Sequence, residues 1–312
     1  MKTLLELMKV KITVAVTFTT AVGYVLARGR FDAGLLLPLL GLFLQAGGAA
    51  ALNHVQEADI DGRVPRTATR PIPSGRISRP GALAVALGLL ALGSALLWWG
   101  SGWLPMAIGL ATAVLYNGIY TPLKRRTPFA VLPGSLIGAL PPLAGWVAGG
   151  GWPQDLTIHQ VAFFFFIWQV PHFWLLLLFH ERAYRENGLP SLFDRFEKRQ
   201  ILRLTFSWTA ATAIAGLLMP LFRAVRHDLT GWLIALCATA LIVLAARWLG
   251  AGFRPAAAQE EAAGDAGGAR PPASTTEPTV EEAGGRVFIR CFMAINCYAL
   301  FVMLALILDR VA

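Results

Sequence analysis

The length of the charge-free runs constrains this chain more than any other feature. No Asp, Glu, Lys or Arg occurs between Arg79 and Lys124. That stretch holds two helices, since each needs about 20 apolar residues to cross the hydrocarbon and must satisfy its own backbone hydrogen bonds there. The Trp-Gly-Ser-Gly-Trp turn from Trp99 to Trp103 joins them, where interfacial tryptophans are expected. The first two spans run from about Ile12 to Ala27 and from Ala33 to Leu52. Later ones cover about Phe129 to Gly149, Ile158 to Phe179, Leu204 to Phe222, Leu229 to Ala246 and Cys291 to Leu308. The fold expected is all-α, a polytopic membrane bundle of nine transmembrane helices in a single unit over residues 1–312.

Only 14% of the residues are charged, against about 25% in an ordinary soluble domain. The net charge of +9 would suggest nucleic acid in a soluble chain, but charge placement argues otherwise. With the N-terminus cytoplasmic, 22 of the 27 Lys and Arg fall in inside segments and five outside. The positive-inside rule therefore accounts for the basicity, and no nucleic-acid partner is expected. The same rule places the C-terminus in the periplasm. The N-terminal stretch runs straight into a span with no small-residue cleavage pattern, so neither a signal nor a transit peptide is expected. The simplest home is a bacterial inner membrane, with the lipid bilayer as the first partner. Cys237, Cys291 and Cys297 lie in apolar stretches, an odd, buried set that argues against a disulfide framework. Residues 253–285 turn to Ala, Gly, Pro, Glu and Thr, a composition that buries too little surface to fold. They are expected to form a disordered cytoplasmic insert between the last two spans.

Chemistry concentrates where the second span ends. At about 100° per residue, Asn53, Glu57 and Asp61 fall within roughly 80° of one another on a helix. Ionisable groups at the end of a span are costly unless they meet a partner or line a wet cavity. Hard oxygen donors at this spacing suit Mg²⁺ shared with a phosphate ligand; an ordinary polar helix end is the plainer reading. Arg63, Arg66, Arg70, Arg76 and Arg79 follow, broken by Pro65, Pro71, Pro73 and Gly75. Arginine forks bind phosphate oxygens bidentately, so acids followed at once by arginines read as a metal-bridged diphosphate site. Tyr120 to Thr127 repeats the theme, with Lys124 and Arg125 either completing a phosphate clamp or serving as topology markers. In the sixth span Pro171 kinks the helix and His172 follows among aromatics that include Trp168. A buried imidazole here is a hydrogen-bonded core residue, a proton carrier, or a metal or heme-iron ligand.

The run Asn-x-x-x-Glu-x-x-x-Asp from Asn53, followed by Arg66-Thr67-x-x-Arg70-Pro71-x-Pro73-Ser74-Gly75-Arg76-Ile77-Ser78, closely resembles the protoheme IX farnesyltransferases, or heme O synthases, of the UbiA prenyltransferase superfamily. The likeness extends through Lys9 to Thr13, Tyr120 to Thr127, Gly138 to Pro142 and Trp168-Gln169-x-Pro171-His172-Phe173-Trp174, covering roughly Met8 to Pro190. The resemblance implies a helical bundle around a central cavity, with Mg²⁺ as cofactor holding farnesyl diphosphate at the cytoplasmic end and heme B as acceptor. Ionisation of the allylic diphosphate would give a cation that alkylates a heme vinyl group, and water would complete the hydroxyethylfarnesyl substituent of heme O. On this reading Asn53, Glu57, Asp61 and Lys124 are catalytic, the first three as metal residues with Asp59 and Glu181 as further candidates. Arg66, Arg70, Tyr120, Arg125, Trp168 and His172 would bind the substrates, and the product would feed the assembly of a heme-utilising oxidase.

The chain departs from that family pattern in one loop. Ala183-Tyr184 stands where an Asp-Tyr pair is expected, and Pro190-Ser191-Leu192-Phe193 where Pro-Met-Leu-Pro is usual. A carboxylate of the second acidic cluster is thus missing, with Glu181, Glu186 and Asp194 nearby. Competing readings are a related prenyltransferase acting on an aromatic or quinone acceptor, a catalytically silent heme-binding assembly protein, and a transporter.

Overall fold

Apolar runs bounded by glycine, proline and capping hydroxyls become a ring of long helices. The computed structural model describes residues 1–65, 67–179, 190, 192–251 and 280–312. A short α1, Lys2–Leu7, precedes α2, Val10–Arg28, which stops at Gly29 in the left-handed region, where glycine carries no Cβ penalty. Asp32 accepts from the Gly34 amide and starts the turn into α3, Leu36–Asp61. Ser78 caps α4, Arg79–Ser101, with Pro80 in the first helical turn. Gly102, at φ 89°, makes the turn into α5, Trp103–Val114, where the tryptophan-flanked turn was expected. Beyond α5 lies a π-helical segment, Leu115–Tyr120. The remaining helices are α6 (Val131–Ala148), α7 (Leu156–Phe179), α8 (Lys198–Leu217), α9 (Asp228–Ala251) and α10 (Val280–Val311).

Helices adjacent in sequence pack side by side, and α10 also contacts α2 and α7, closing the ring. Backbones approach most closely between α2 and α6. There a Cβ on Gly23 would land on the Pro142 carbonyl oxygen, and one on Gly145 on the Thr20 carbonyl oxygen.

Two expectations need correction. Nine spans were expected, but among the described residues seven helices are long and apolar enough to cross a membrane. The long helices α7 and α8 stand beside them in the ring but are not among the seven. The first turns of α8 carry Lys198, Arg199 and Arg203, whereas α7 runs for 24 residues without an Asp, Glu, Lys or Arg, as the expected sixth span requires. The expected disordered insert also ends earlier than residue 285. Helix α10 begins at Val280, so residues 280–285 of that expected insert are helical. Residues 253–279 lie outside the described residues. Of the three cysteines, Cys291 is buried, Cys237 half-buried and Cys297 exposed on the outer face of a spanning helix.

Candidate active site

The last turns of α3 carry the acidic face. Positions four apart share one side of a helix, and Asn53, Glu57 and Asp61 are 0%, 6% and 4% exposed. Carboxylates this buried require partners. Each has one from a different part of the chain. Lys124 Nζ lies 2.5 Å from Glu57 Oε1. Arg70 Nη1 donates to both Asp61 oxygens, at 2.7 and 2.8 Å. Lys9 Nζ donates to Asn53 Oδ1 at 2.6 Å and to the Tyr116 hydroxyl at 3.2 Å.

Local structure explains how these cations arrive. The arginine–proline segment is a series of tight turns, pinned to α3 where the Thr67 hydroxyl donates to the Asp61 carbonyl at 3.0 Å. Arg76 donates to the Thr69 carbonyl at 2.6 Å and pairs with Glu6 at 2.5 Å, tying the segment to α1. Lys124 follows the π-helical segment; such bulges recur at functional sites because the extra residue re-aims side chains. There the Thr121 hydroxyl donates to the Tyr116 carbonyl at 2.8 Å and accepts from Asn53 Nδ2 at 3.0 Å. Lys9 sits between α1 and α2 with φ 47°, an uncommon conformation for a side-chain-bearing residue and the kind of strain held at working sites. Burial, aided by the Arg70 guanidinium, pulls its ammonium down to about 8, against the opposing pull of Glu57 and Asp61.

Next to this cluster opens a cavity of about 580 Å³ whose lining includes Lys2, Glu6, Lys9, His54, Arg70 and Arg76. An aromatic wall leads the other way. Tyr120 stacks on Tyr116 at 6.0 Å between centroids, lies 5.5 Å from Lys124 Nζ, and meets Phe173 at 6.1 Å. Beyond Phe173 stands the His172 ring, 4.8 Å from Trp168 and 4.9 Å from Phe292 between centroids. Its Nδ1 is 2.8 Å from Asn296 Oδ1.

The structure therefore brings together Asn53, Glu57, Asp61, Arg70, Tyr120 and Lys124, with Trp168 and His172 along the adjoining wall. Asp59 is set apart: it is half exposed and pairs with Arg125 at 3.3 Å. Arg125 also donates to the Gln56 carbonyl at 2.6 Å, so its guanidinium clasps the end of α3. Arg66 and Glu181 lie outside the described residues, as does Ala183. Among the described residues no three His, Cys, Asp or Glu side chains group closely enough to enclose a metal alone. Glu57 and Asp61 do fit a cation that takes one or two carboxylates and completes its shell with phosphate oxygens and water, the usual habit of Mg²⁺.

Comparison with known proteins fits this geometry. The model of the UbiA prenyltransferase family matches residues 16–262. The chain belongs to that family. It is a multi-pass membrane prenyltransferase. Protoheme IX farnesyltransferase of Nitratidesulfovibrio vulgaris (strain DP4) is 38% identical over 239 residues, 77% of this chain and 83% of the relative. That of Oleidesulfovibrio alaskensis is 32% identical over 307 residues, 98% and 95% of the two chains. The UbiA fold is seen again in a solved digeranylgeranylglyceryl phosphate synthase, with TM-score 0.74 and 18% identity over 99% of this chain and 98% of that one. A UbiA homologue from Archaeoglobus fulgidus bound to GPP and Mg²⁺ superposes with TM-score 0.63 at 14% identity, covering 97% and 99%.

Sequence reasoning assigned no role to Lys9, Tyr116, Thr121 or Asn296. Lys9 stands with Lys2 and Lys11 before the first span and reads there as one of three topology charges. Tyr116 and Thr121 reach the site only because the π turn rotates them there. Asn296 is an amide inside a late apolar run, and a polar residue in a span is itself the signal that could have found it.

Proposed function

We propose that this UbiA prenyltransferase farnesylates heme B, using farnesyl diphosphate and water to make heme O and release diphosphate. The observation that carries this reading is the join of the acid–cation cluster to the aromatic wall holding His172, through Tyr120 and Phe173. The farnesyltransferase name borne by relatives up to near full length supports the same acceptor.

Prenyl transfer of this kind needs charge neutralisation more than covalent help. Bound between Glu57, Asp61 and the diphosphate, Mg²⁺ would supply part of that neutralisation. Arg70 and Lys124 are held on those carboxylates beforehand, so their charge is in place before the diphosphate arrives. When the allylic C–O bond breaks, its electron pair leaves on the diphosphate, and Arg70, Lys124 and Lys9 face that growing charge. We assign Asn53 to positioning, because its amide oxygen accepts from Lys9 and its NH₂ donates to Thr121. The faces of Tyr120, Phe173 and Trp168 shield the farnesyl cation from premature water and stabilise it. The heme vinyl group attacks the cation to form the new C–C bond; water then captures the resulting heme-side cation and loses a proton. The site would face the cytoplasm of a bacterial inner-membrane protein with its C-terminus in the periplasm, and the product would supply a heme-utilising oxidase.

The test is to incubate the purified chain in nanodiscs with Mg²⁺, farnesyl diphosphate and heme B and search by mass spectrometry for hydroxyethylfarnesyl heme. Its appearance, with one diphosphate released per product, is the expected result. Intact heme B beside a prenylated quinone precursor would overturn the acceptor assignment.

A further inference from the structure

We propose that His172 Nε2 is the axial ligand to the iron of the acceptor heme, and that Asn296 is the positioning residue that holds His172 in the ligating tautomer. The proposal rests on the heme reading above and adds what that reading leaves open: how the macrocycle is anchored, and by which nitrogen.

The argument starts from the amide. Asn296 Nδ2 donates to the Phe292 carbonyl at 2.6 Å, one turn earlier on α10. A carbonyl only accepts, so the NH₂ group must face it and the amide cannot flip. Oδ1 therefore points to His172 Nδ1, 2.8 Å away. An amide oxygen also only accepts, so Nδ1 carries the proton and the lone pair resides on Nε2. Two helices far apart in sequence thus fix a tautomer without any charged partner, and His172 makes no other hydrogen bond among the described residues.

The arrangement matches what metal-bound histidines use, one ring nitrogen on the metal and the other donating to an oxygen that fixes ring orientation and strengthens the donor. The surroundings match a flat, apolar ligand. Trp168 and Phe292 lie at 4.8 and 4.9 Å from the imidazole, tilted by 46° and 40°, and Phe173 meets it edge-on. Trp168 Nε1 is buried without a hydrogen-bond partner among the described residues, a polar group that this wall leaves unmatched. Phe173 then touches Tyr120, which neighbours Lys124. A heme held at His172 is therefore on the same wall as the diphosphate cluster, where one of its vinyl edges can meet the cation.

The experiment uses the full chain in nanodiscs titrated with heme B, read by absorption and by resonance Raman of the ferrous form. Wild type should show an iron–histidine stretch. His172→Gly should lose it and regain it with added imidazole, which also shows that the variant is folded. Asn296→Leu removes the acceptor and should lower the stretch and weaken heme binding about tenfold. Asn296→Asp restores a stronger acceptor and should raise the stretch above wild type. A stretch in His172→Gly identical to wild type without imidazole, or one unmoved in both Asn296 variants, overturns the proposal. The activity reading fails separately: if wild type binds heme with this signature and makes no farnesylated product, the ligand assignment stands and the reaction is wrong.

Discussion

Lys9 Nζ reaches across 44 positions of sequence to Asn53 Oδ1 at 2.6 Å, so the strained residue before the first long helix is anchored to the fully buried amide that begins the acidic face. Burial brings its ammonium to about 8, close to working pH. The free protein should therefore lose a cation as pH rises through that value, and kcat/KM for the prenyl diphosphate should fall, approaching roughly tenfold per pH unit above it. Stability should move the opposite way. An unfolded lysine titrates near 10.5, so between about 8 and 10.5 the unfolded chain binds more protons and the folded state gains with pH. Loss of activity in that window is then not unfolding. Lys9→Arg, charged throughout, should push the descending limb to higher pH, and Lys9→Met should be slower by about 100-fold with the limb gone. A limb unchanged in both variants would assign it to another group.

The Arg70–Asp61 pair is the second test. Asp61 is buried and receives one arginine nitrogen on both oxygens, so it can orient the guanidinium and still offer lone pairs to a metal. Asp61→Ala and Arg70→Ala should each abolish heme alkylation, a loss of at least about 10²-fold, while far-ultraviolet dichroism stays that of the wild-type bundle. A fully active Asp61→Ala enzyme would remove this face from the mechanism.

Glu57 and Lys124 should separate stability from chemistry. Lys124→Met strands the buried Glu57 carboxylate and should cost about 1–3 kcal/mol, toward the low end because Lys124 itself is partly exposed. Adding Glu57→Gln removes the stranded charge, so the double variant should recover much of the lost thermal stability. It should recover none of the activity, since both groups face the diphosphate. Additive stability losses in this cycle would show that the two side chains do not interact.

The sequence carried most of this arrangement because membrane spans and charged helix ends obey strong local rules. A run without charge must become a helix in lipid, and Asn53, Glu57 and Asp61 share a face through helical spacing alone. Arg70 and Lys124 were legible as cations beside acids, though not which acid each would take. Arg125 read as a phosphate ligand yet occupies its guanidinium on Asp59 and the Gln56 carbonyl, because a basic residue after a span looks the same in either role. The π turn at Leu115–Tyr120 is an irregularity of hydrogen bonding with no residue signature, so Tyr116 and Thr121 could not be placed. Asn296 pairs with His172 across 124 positions, a contact that only tertiary packing creates.

The close crossing of α2 and α6 gives the last prediction. A Cβ on Gly145 would fall on the Thr20 carbonyl oxygen, with the Thr20 carbonyl carbon only 2.8 Å away. Backbone cannot swing aside as a flexible side chain does, so Gly145→Ala must push the two helices apart. That should cost about 1–3 kcal/mol by overpacking. Helix α6 also contacts the π-helical segment and α7, which carry Tyr120 and His172, so displacing it should loosen the aromatic wall as well as the crossing. Gly88 of α4 provides the control, because a Cβ there meets nothing within 4 Å. Gly88→Ala should be neutral or gain up to about 1 kcal/mol from helix propensity. Thermal unfolding of both variants in the same detergent checks the claim, and equal melting temperatures for Gly145→Ala and Gly88→Ala would show that the crossing is not as tight as its backbone contacts indicate.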